Sequence, residues 1–292
     1  MKPAAFDYHA PATLDEALAL LRQHGPDAKP LAGGQSLIPA MNFRLAAPSV
    51  LVDLNRIESL AYIEAGRDGV RVGGMTRHRT LERSADIGRD VPLVTAAMPF
   101  VAHMAIRTRG TIGGSLAHAD PAAELPAVML ALDATFTLRS ATGTREVAAV
   151  DFFTGLFSTA LEPGELLTAI AIPRRRARAG FAFDEVSRRH GDFALAGAAA
   201  NVVVDGAGVC TDARVGLLSL GDRPVLAHEV ARALVGQRPT REAIRAAADA
   251  SAQHDIDPAG DIHASPRYRR QLAAVLTRRV LERAFHSLLE TS

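Results

Sequence analysis

Two stretches, Lys29 to Leu37 (KPLAGGQSL) and Thr111 to Asp120 (TIGGSLAHAD), decide how the chain reads. Each leads from an apolar segment into a paired glycine and then a hydroxyl residue, the pattern of a turn whose amide N–H groups can curl around an anion. Two such turns far apart in one chain are a stronger signal than one, because a dinucleotide diphosphate has several oxygens to satisfy. In the first turn the donors would be the N–H groups of Gly33, Gly34, Gln35 and Ser36, with the Ser36 hydroxyl at the start of a helix whose dipole also favours an anion. In the second they would come from Thr111, Gly113 and Gly114, with the Thr111 hydroxyl. Neither stretch contains the G-x-G-x-x-G of a Rossmann site or the G-x-x-x-x-G-K-[ST] of a P-loop. Taken singly, each Gly-Gly pair also reads as an ordinary turn, so spacing allows nucleotide binding without establishing it.

Working outward, Thr13 and Glu16 form a capping box ahead of Leu14, Ala17, Leu18 and Leu21 at helical spacing, with Gly25 and Pro26 after the last turn. Lys29 to Ala32 and Ser49 to Asp53 read as strands, with one or two helical turns over Leu37 to Phe43. Tyr62 to Ala65 and Val70 to Val72 flank a Gly-rich turn and read as a hairpin. Val91 to Met104 reads as one buried helix feeding the second glycine turn. Pro121 to Ala134 reads as helical, with Pro126 expected to end or kink its first turn. Strands follow at Ala134 to Ser140, Arg145 to Val150 and Leu166 to Ile172. Pro173 then opens a charged run, PRRRARAG, that has little to bury and reads as a domain boundary. Beyond it, apolar strands around Phe181 to Val186, Ala194 to Asp205 and Ala213 to Leu220 precede helices at His228 to Val235, Thr240 to Gln253 and Pro266 to Leu289. Strands first and helices later is an α+β arrangement.

Composition excludes several classes. The 292 residues carry 33 Lys and Arg against 32 Asp and Glu, a net charge of +1, which leaves no broad basic face for nucleic acid. The start lacks a basic region followed by an apolar run, and no segment offers about 18 uninterrupted apolar residues, so a cytoplasmic chain with no membrane span is expected. The single cysteine, Cys210, cannot form an internal disulfide, a cysteine-ligated zinc site or a self-contained iron–sulfur cluster.

Other residues invite chemical readings. Ser115, His118 and Asp120 lie too close in sequence for a hydrolase triad, and no G-x-S-x-G elbow is present. Asp120 fits better as an acceptor for a ligand hydroxyl. His78, His103 and His118 show no metal-ligand spacing, and each reads as a surface or satisfied buried histidine. Glu124 is placed on the helix after the second turn, on the side of Asp120, either as a surface carboxylate or as a ligand group. Arg174, Arg175, Arg176 and Arg178 read as a solvated linker, with contact to an acidic partner chain as the alternative. The Gly191-Asp192 turn presents Phe193, for core packing or, if the glycine turns hold a cofactor, for stacking on a flat ring.

The segments Ala32 to Ile57 (AGGQSLIPAMNFRLAAPSVLVDLNRI) and Ile106 to Ala134 (IRTRGTIGGSLAHADPAAELPAVMLALDA) together resemble the FAD-binding medium subunit of the molybdenum hydroxylases, the family of the carbon monoxide dehydrogenase medium subunit and the xanthine dehydrogenase flavin domain. The resemblance implies non-covalent FAD held by a two-subdomain α+β domain of the vanillyl-alcohol-oxidase type, followed by a smaller α+β C-terminal domain of antiparallel sheet and helices. The corresponding division is residues 1–176 (subdomains about 1–56 and 57–176) and 177–292. By the same resemblance, Ala32, Gly33, Gly34, Gln35, Ser36 and Leu37 match the first diphosphate loop, and Thr111, Ile112, Gly113 and Gly114 the second. Asp120 and Glu124 fall near the ribityl and ribose, Val101, Ile106, Ala117 and Leu161 line the cofactor, and Phe193 stands where a tyrosine meets the isoalloxazine. Gln35 replaces a histidine common in the family, and Phe193 replaces that tyrosine.

The resemblance further implies an electron-transfer subunit with no acid or base residue of its own. Electrons would come from two [2Fe–2S] clusters on a small partner subunit, fed by a molybdopterin centre on a large one, in a dimer of heterotrimers, and leave to an external acceptor. Two rivals remain open: a self-sufficient FAD-dependent oxidase or dehydrogenase, and an assembly module that has lost its cofactor.

Overall fold

A computed structural model describes residues 2–289. Among these residues the chain forms three successive layers of sheet and helix. The first is a three-stranded parallel sheet in the order Asp7–His9, Val50–Asp53, Ala28–Leu31. Its cover is the helix Leu14–His24, whose Thr13 and Glu16 make both hydrogen bonds of the capping box and whose Ala17, Leu18 and Leu21 are buried. Gly25 ends the helix at φ +54°, a conformation glycine adopts without penalty.

The second layer is a five-stranded antiparallel sheet, Ile63–Ala65, Gly69–Gly73, Leu166–Pro173, Thr135–Arg139, Thr144–Ala148. The hairpin read at Tyr62 to Val72 is present as its first pair. The third is a four-stranded antiparallel sheet, Ala179–Ser187, Ala194–Val204, Cys210–Leu218, Val225–Leu226, backed by the helices His228–Leu234, Arg241–His254 and Pro266–Leu289. On the last helix the spacing of Leu272, Leu276, Val280, Ala284 and Leu288 predicts one apolar side; the last four are buried and Leu272 is half-buried.

Between the second and third sheets lies the helix Glu124–Ala131, whose every residue is buried. It is apolar nearly all round because it has protein on all sides. The strand Cys210–Leu218 approaches it so closely that a Cβ on Gly216 would stand 2.0 Å from the Ala127 carbonyl oxygen. Pro126 neither ends nor kinks this helix, contrary to the sequence reading. It is the third residue, where the N–H has no intrahelical partner to lose.

Two further departures bear on the site. Val91 to Met104 is not one helix: Pro92–Ala97 stops early, and a second short helix, Met104–Arg107, begins after a bend at Ala102 with φ +44°. The buried Arg107 guanidinium donates to the Val101 and Ala102 carbonyls, both at 2.9 Å, occupying oxygens that a continuous helix would use. Nor is the arginine run simply solvated linker. Arg174 donates to the Gly66 carbonyl (2.9 Å) and pairs with Asp90 (3.3 Å), and Arg176 pairs with Asp212 (3.3 Å). The chain's own carboxylates thus meet part of the charge that a partner was invoked to meet.

Candidate functional site

The two glycine bends, remote in sequence, touch. A Cβ on Gly33 would lie 2.5 Å from the Arg109 carbonyl oxygen and 2.7 Å from the Gly110 Cα, and one on Gly114 would lie 3.3 Å from the Ala32 Cβ. No side chain larger than hydrogen fits at Gly33 without moving backbone. The first bend hangs from the parallel sheet, between Ala28–Leu31 and the short helix Leu37–Asn42. The second opens the helix Ile112–His118, capped by Thr111, whose hydroxyl accepts the Gly114 N–H at 3.1 Å.

Their amides are disposed differently. Among the described residues, no protein acceptor takes the N–H of Gly33, Gly34, Gln35 or Ser36, and Gly34 stands at φ +73°. The Gln35 side chain folds back to donate to the Gly33 carbonyl at 3.0 Å, and the Ser36 hydroxyl caps nothing. In the second bend Ile112 donates to the Thr76 carbonyl (3.0 Å), Gly113 to that of Gly74 (2.9 Å) and Gly114 to Thr111 Oγ1. The sequence reading took donors from Thr111, Gly113 and Gly114, but the protein itself uses the last two. The Thr111 N–H remains, because Thr111 pairs with Arg77 through the bonds of its neighbours. A row of uncommitted amides beside a second glycine bend suits a phosphate-type anion.

Contacts join three of the segments that bear the remaining candidates. Ser219 donates its N–H to the Pro121 carbonyl (2.8 Å) and its hydroxyl to that of Ala194 (2.6 Å), which brings the loop bearing Phe193 to the turn bearing Asp120. Gly191, at φ +84°, lies against the His103 ring, next to the segment from Val101 to Ile106. Phe193 is 69% exposed, so core packing does not explain it, and a large aromatic face is left free. Val101 is buried, while Ile106, Ala117 and Leu161 are half-buried and Leu161 packs on the central core. His118 lies against the Phe157 ring, with centroids 5.1 Å apart and planes tilted by 35°, and among the described residues no hydrogen bond joins it to Ser115.

Asp120 and Glu124 do not share a helix, since the helix begins at Glu124. Asp120 accepts the Ala122 N–H at 2.9 Å and closes the turn before it. Glu124 is buried rather than on the surface. Burial, aided by Asp120 and opposed by Arg107, pushes its carboxyl up to about 7. Sequence reasoning missed its neighbour Glu185, whose Oε2 is buried without a hydrogen-bond partner. Burial, with Glu124 and Asp184 adding, pushes this carboxyl to about 8. Alternation along Ala179–Ser187 would have placed Glu185 on the face of Phe183, which belongs to the central core. His78 sits beneath Gly110, and its burial pushes the imidazole down to about 4, leaving it neutral at pH 7.

Two other hollows, one at Asp15, Arg139 and Ser140 and one between Phe153, Arg223, His228 and Asp255, include none of these residues. The described residues hold no group of three or more His, Cys, Asp or Glu able to bind a metal, and no helix long and apolar enough to cross a membrane.

Comparison with known proteins gives the same picture. Residues 4–175 match the model of the FAD binding domain in molybdopterin dehydrogenase, and residues 181–284 that of the CO dehydrogenase flavoprotein C-terminal domain. The chain is 43% identical to subunit alpha of the 6-hydroxypseudooxynicotine dehydrogenase complex of Paenarthrobacter nicotinovorans, over 98% of this chain and 96% of that one. It is 41% identical to the carbon monoxide dehydrogenase medium chain of Afipia carboxidovorans, over 97% and 98% respectively. In three dimensions it matches a chain of a Hydrogenophaga pseudoflava carbon monoxide dehydrogenase that lacks the Mo-pyranopterin moiety of its cofactor, with a TM-score of 0.95, 38% identity and coverage of 98% and 99%. This chain therefore belongs to the family of FAD-binding medium subunits of the molybdenum hydroxylases and is an FAD-dependent oxidoreductase subunit of a heteromeric enzyme.

Proposed function

We propose that the chain carries electrons from [2Fe–2S] clusters on a small partner subunit, through FAD, to an external acceptor, while a molybdopterin-bearing large subunit hydroxylates the substrate. The observation that carries this reading is the contact between the two bends, with four uncommitted amides on one of them. FAD supplies the redox chemistry; the protein's part is to hold and shield it.

In this reading residues 1–176 hold the cofactor and residues 177–292 close one side of it. Gly33, Gly34, Gln35, Ser36 and Thr111 donate N–H groups to the diphosphate, while Ala32, Leu37, Ile112, Gly113 and Gly114 shape the cradle. Asp120 and Glu124 meet the ribityl and ribose, Val101, Ile106, Ala117 and Leu161 exclude water, and Phe193 offers its exposed ring to the isoalloxazine. No residue need act as acid or base. The complex is a dimer of heterotrimers in the cytoplasm, and its terminal acceptor is an external NAD, oxygen or quinone.

The test is to load the purified chain with FAD and then offer it either a reduced two-cluster iron–sulfur protein or small organic donors. About one FAD per chain, bleached by the iron–sulfur protein alone, is the expected result. Bleaching by an organic substrate without partners would make the chain a self-sufficient dehydrogenase, and failure to take up FAD would make it an assembly module.

A further inference from the structure

The two bends belong to different cores: Ala32 packs on the N-terminal one, whereas Ile112 lies in the central one. Something must set their separation, and the structure contains a side-chain link between them. Asn55 follows the strand Val50–Asp53, in a turn fixed by its own N–H donating to Asp53 Oδ1 at 2.9 Å. Its side-chain amide donates to the Ala32 carbonyl at 2.9 Å. Its Oδ1 accepts from Arg77 Nη2 at 2.6 Å, and Arg77 Nη1 donates to the Arg109 carbonyl. Arg77 is itself anchored, because its backbone pairs with Thr111. The path therefore runs Ala32 carbonyl, Asn55, Arg77, Arg109 carbonyl, and its two ends are the residues just before Gly33 and Gly110.

We propose that Asn55 and Arg77 are positioning residues, a hydrogen-bonded clamp that holds the two bends at the separation a diphosphate requires. This deepens the FAD reading and rests on it for its ligand. Neither carbonyl at the ends of the path need touch the cofactor. The clamp acts by removing the freedom of the two bends to part, so that binding does not have to order them. Arg77 suits the task because its planar fork reaches two acceptors in fixed directions, which an ammonium on a flexible stem does not. Asn55 suits it because one amide donates on one side and accepts on the other. Asn55 is exposed and Arg77 half-buried, so substitutions leave the cores intact.

The experiment measures the FAD dissociation constant of the full chain by fluorescence for N55A, N55D, R77A, R77K and the N55A/R77A double variant. It also records amide chemical shifts of Gly33 and Gly110 in FAD-free protein. Each single alanine variant should weaken FAD by about tenfold to a hundredfold, as for a hydrogen bond involving a charged group. The double variant should be no weaker than the worse single one, since either cut opens the same path. R77K should bind as weakly as R77A, and N55D should fail because a carboxylate cannot donate to the Ala32 carbonyl. Each single cut should also shift the bend it does not touch. If R77K keeps full affinity, or if the two losses simply add, Arg77 acts as a bare charge and the clamp is overturned. Unchanged affinity and unchanged shifts in N55A would overturn it equally. If wild-type protein takes up no FAD yet the cross-bend shifts occur, the flavin reading fails and the clamp stands.

Discussion

Two bends with nearly the same sequence signature do opposite things with their backbone. In the bend from Gly33 to Ser36 the amides are uncommitted and the partners are few. In the bend from Thr111 to Gly114 three successive N–H groups are satisfied by Thr76, Gly74 and Thr111 itself. The first leaves its donors open, and the second is a braced segment against which the first packs. A paired glycine thus marks close approach of backbone in both places, by Arg109 and Gly110 at Gly33 and by Gly74 at Gly113, but only the first bend leaves its amides open.

Substitutions should separate these roles. Gly113→Ala has the largest expected effect: its Cβ would meet the Gly74 oxygen at 2.5 Å and Cα at 2.8 Å in a buried site, so about 3 kcal/mol of stability should be lost in a urea titration. Gly33→Ala comes next and should act on binding rather than folding. Prying the bends apart should weaken FAD about 100-fold, equivalent to about 2.7 kcal/mol, with a melting temperature near that of wild type. Equal damage to folding and binding by both substitutions would erase the distinction.

A smaller effect should come from Glu185. Its folded pKa of about 8 lies above the ordinary value of 4.5, so the neutral form is the one the fold favours. The associated stability is complete below pH 4.5 and is lost as pH rises through 8. Glu185→Gln should therefore melt roughly 3 °C higher than wild type at pH 9, with the difference vanishing below pH 4.5. Thr111→Val closes the series. Removing the capping hydroxyl should cost about 1 kcal/mol and leave the first bend's amides as they are.

Much of this was legible in the sequence. The capping box at Thr13 and Glu16, the hairpin before Val72 and the buried stripe of the last helix follow from local chemistry, and local chemistry is where they are realised. The use of the Gly113 amide was not legible: its acceptor is Gly74, in a third paired glycine at Gly73 and Gly74, and only the tertiary fold shows that these two pairs meet each other. The break at Ala102 was hidden for the same reason: a buried Arg107 satisfies carbonyls that apolar periodicity assigns to a helix. Pro126 misled because its effect depends on its place in the first turn, and the helix start was set by packing rather than by a capping residue. Glu185 was overlooked because only tertiary structure buries it beside Glu124.

The most direct test of the central claim is residue-resolved amide hydrogen exchange with and without FAD. Gly33, Gly34, Gln35, Ser36 and Thr111 should exchange rapidly in free protein and become protected together at one equivalent of FAD, while Gly113 and Gly114 are slow in both states. FAD bound tightly while the amides from Gly33 to Ser36 still exchange at their free rate would contradict the account.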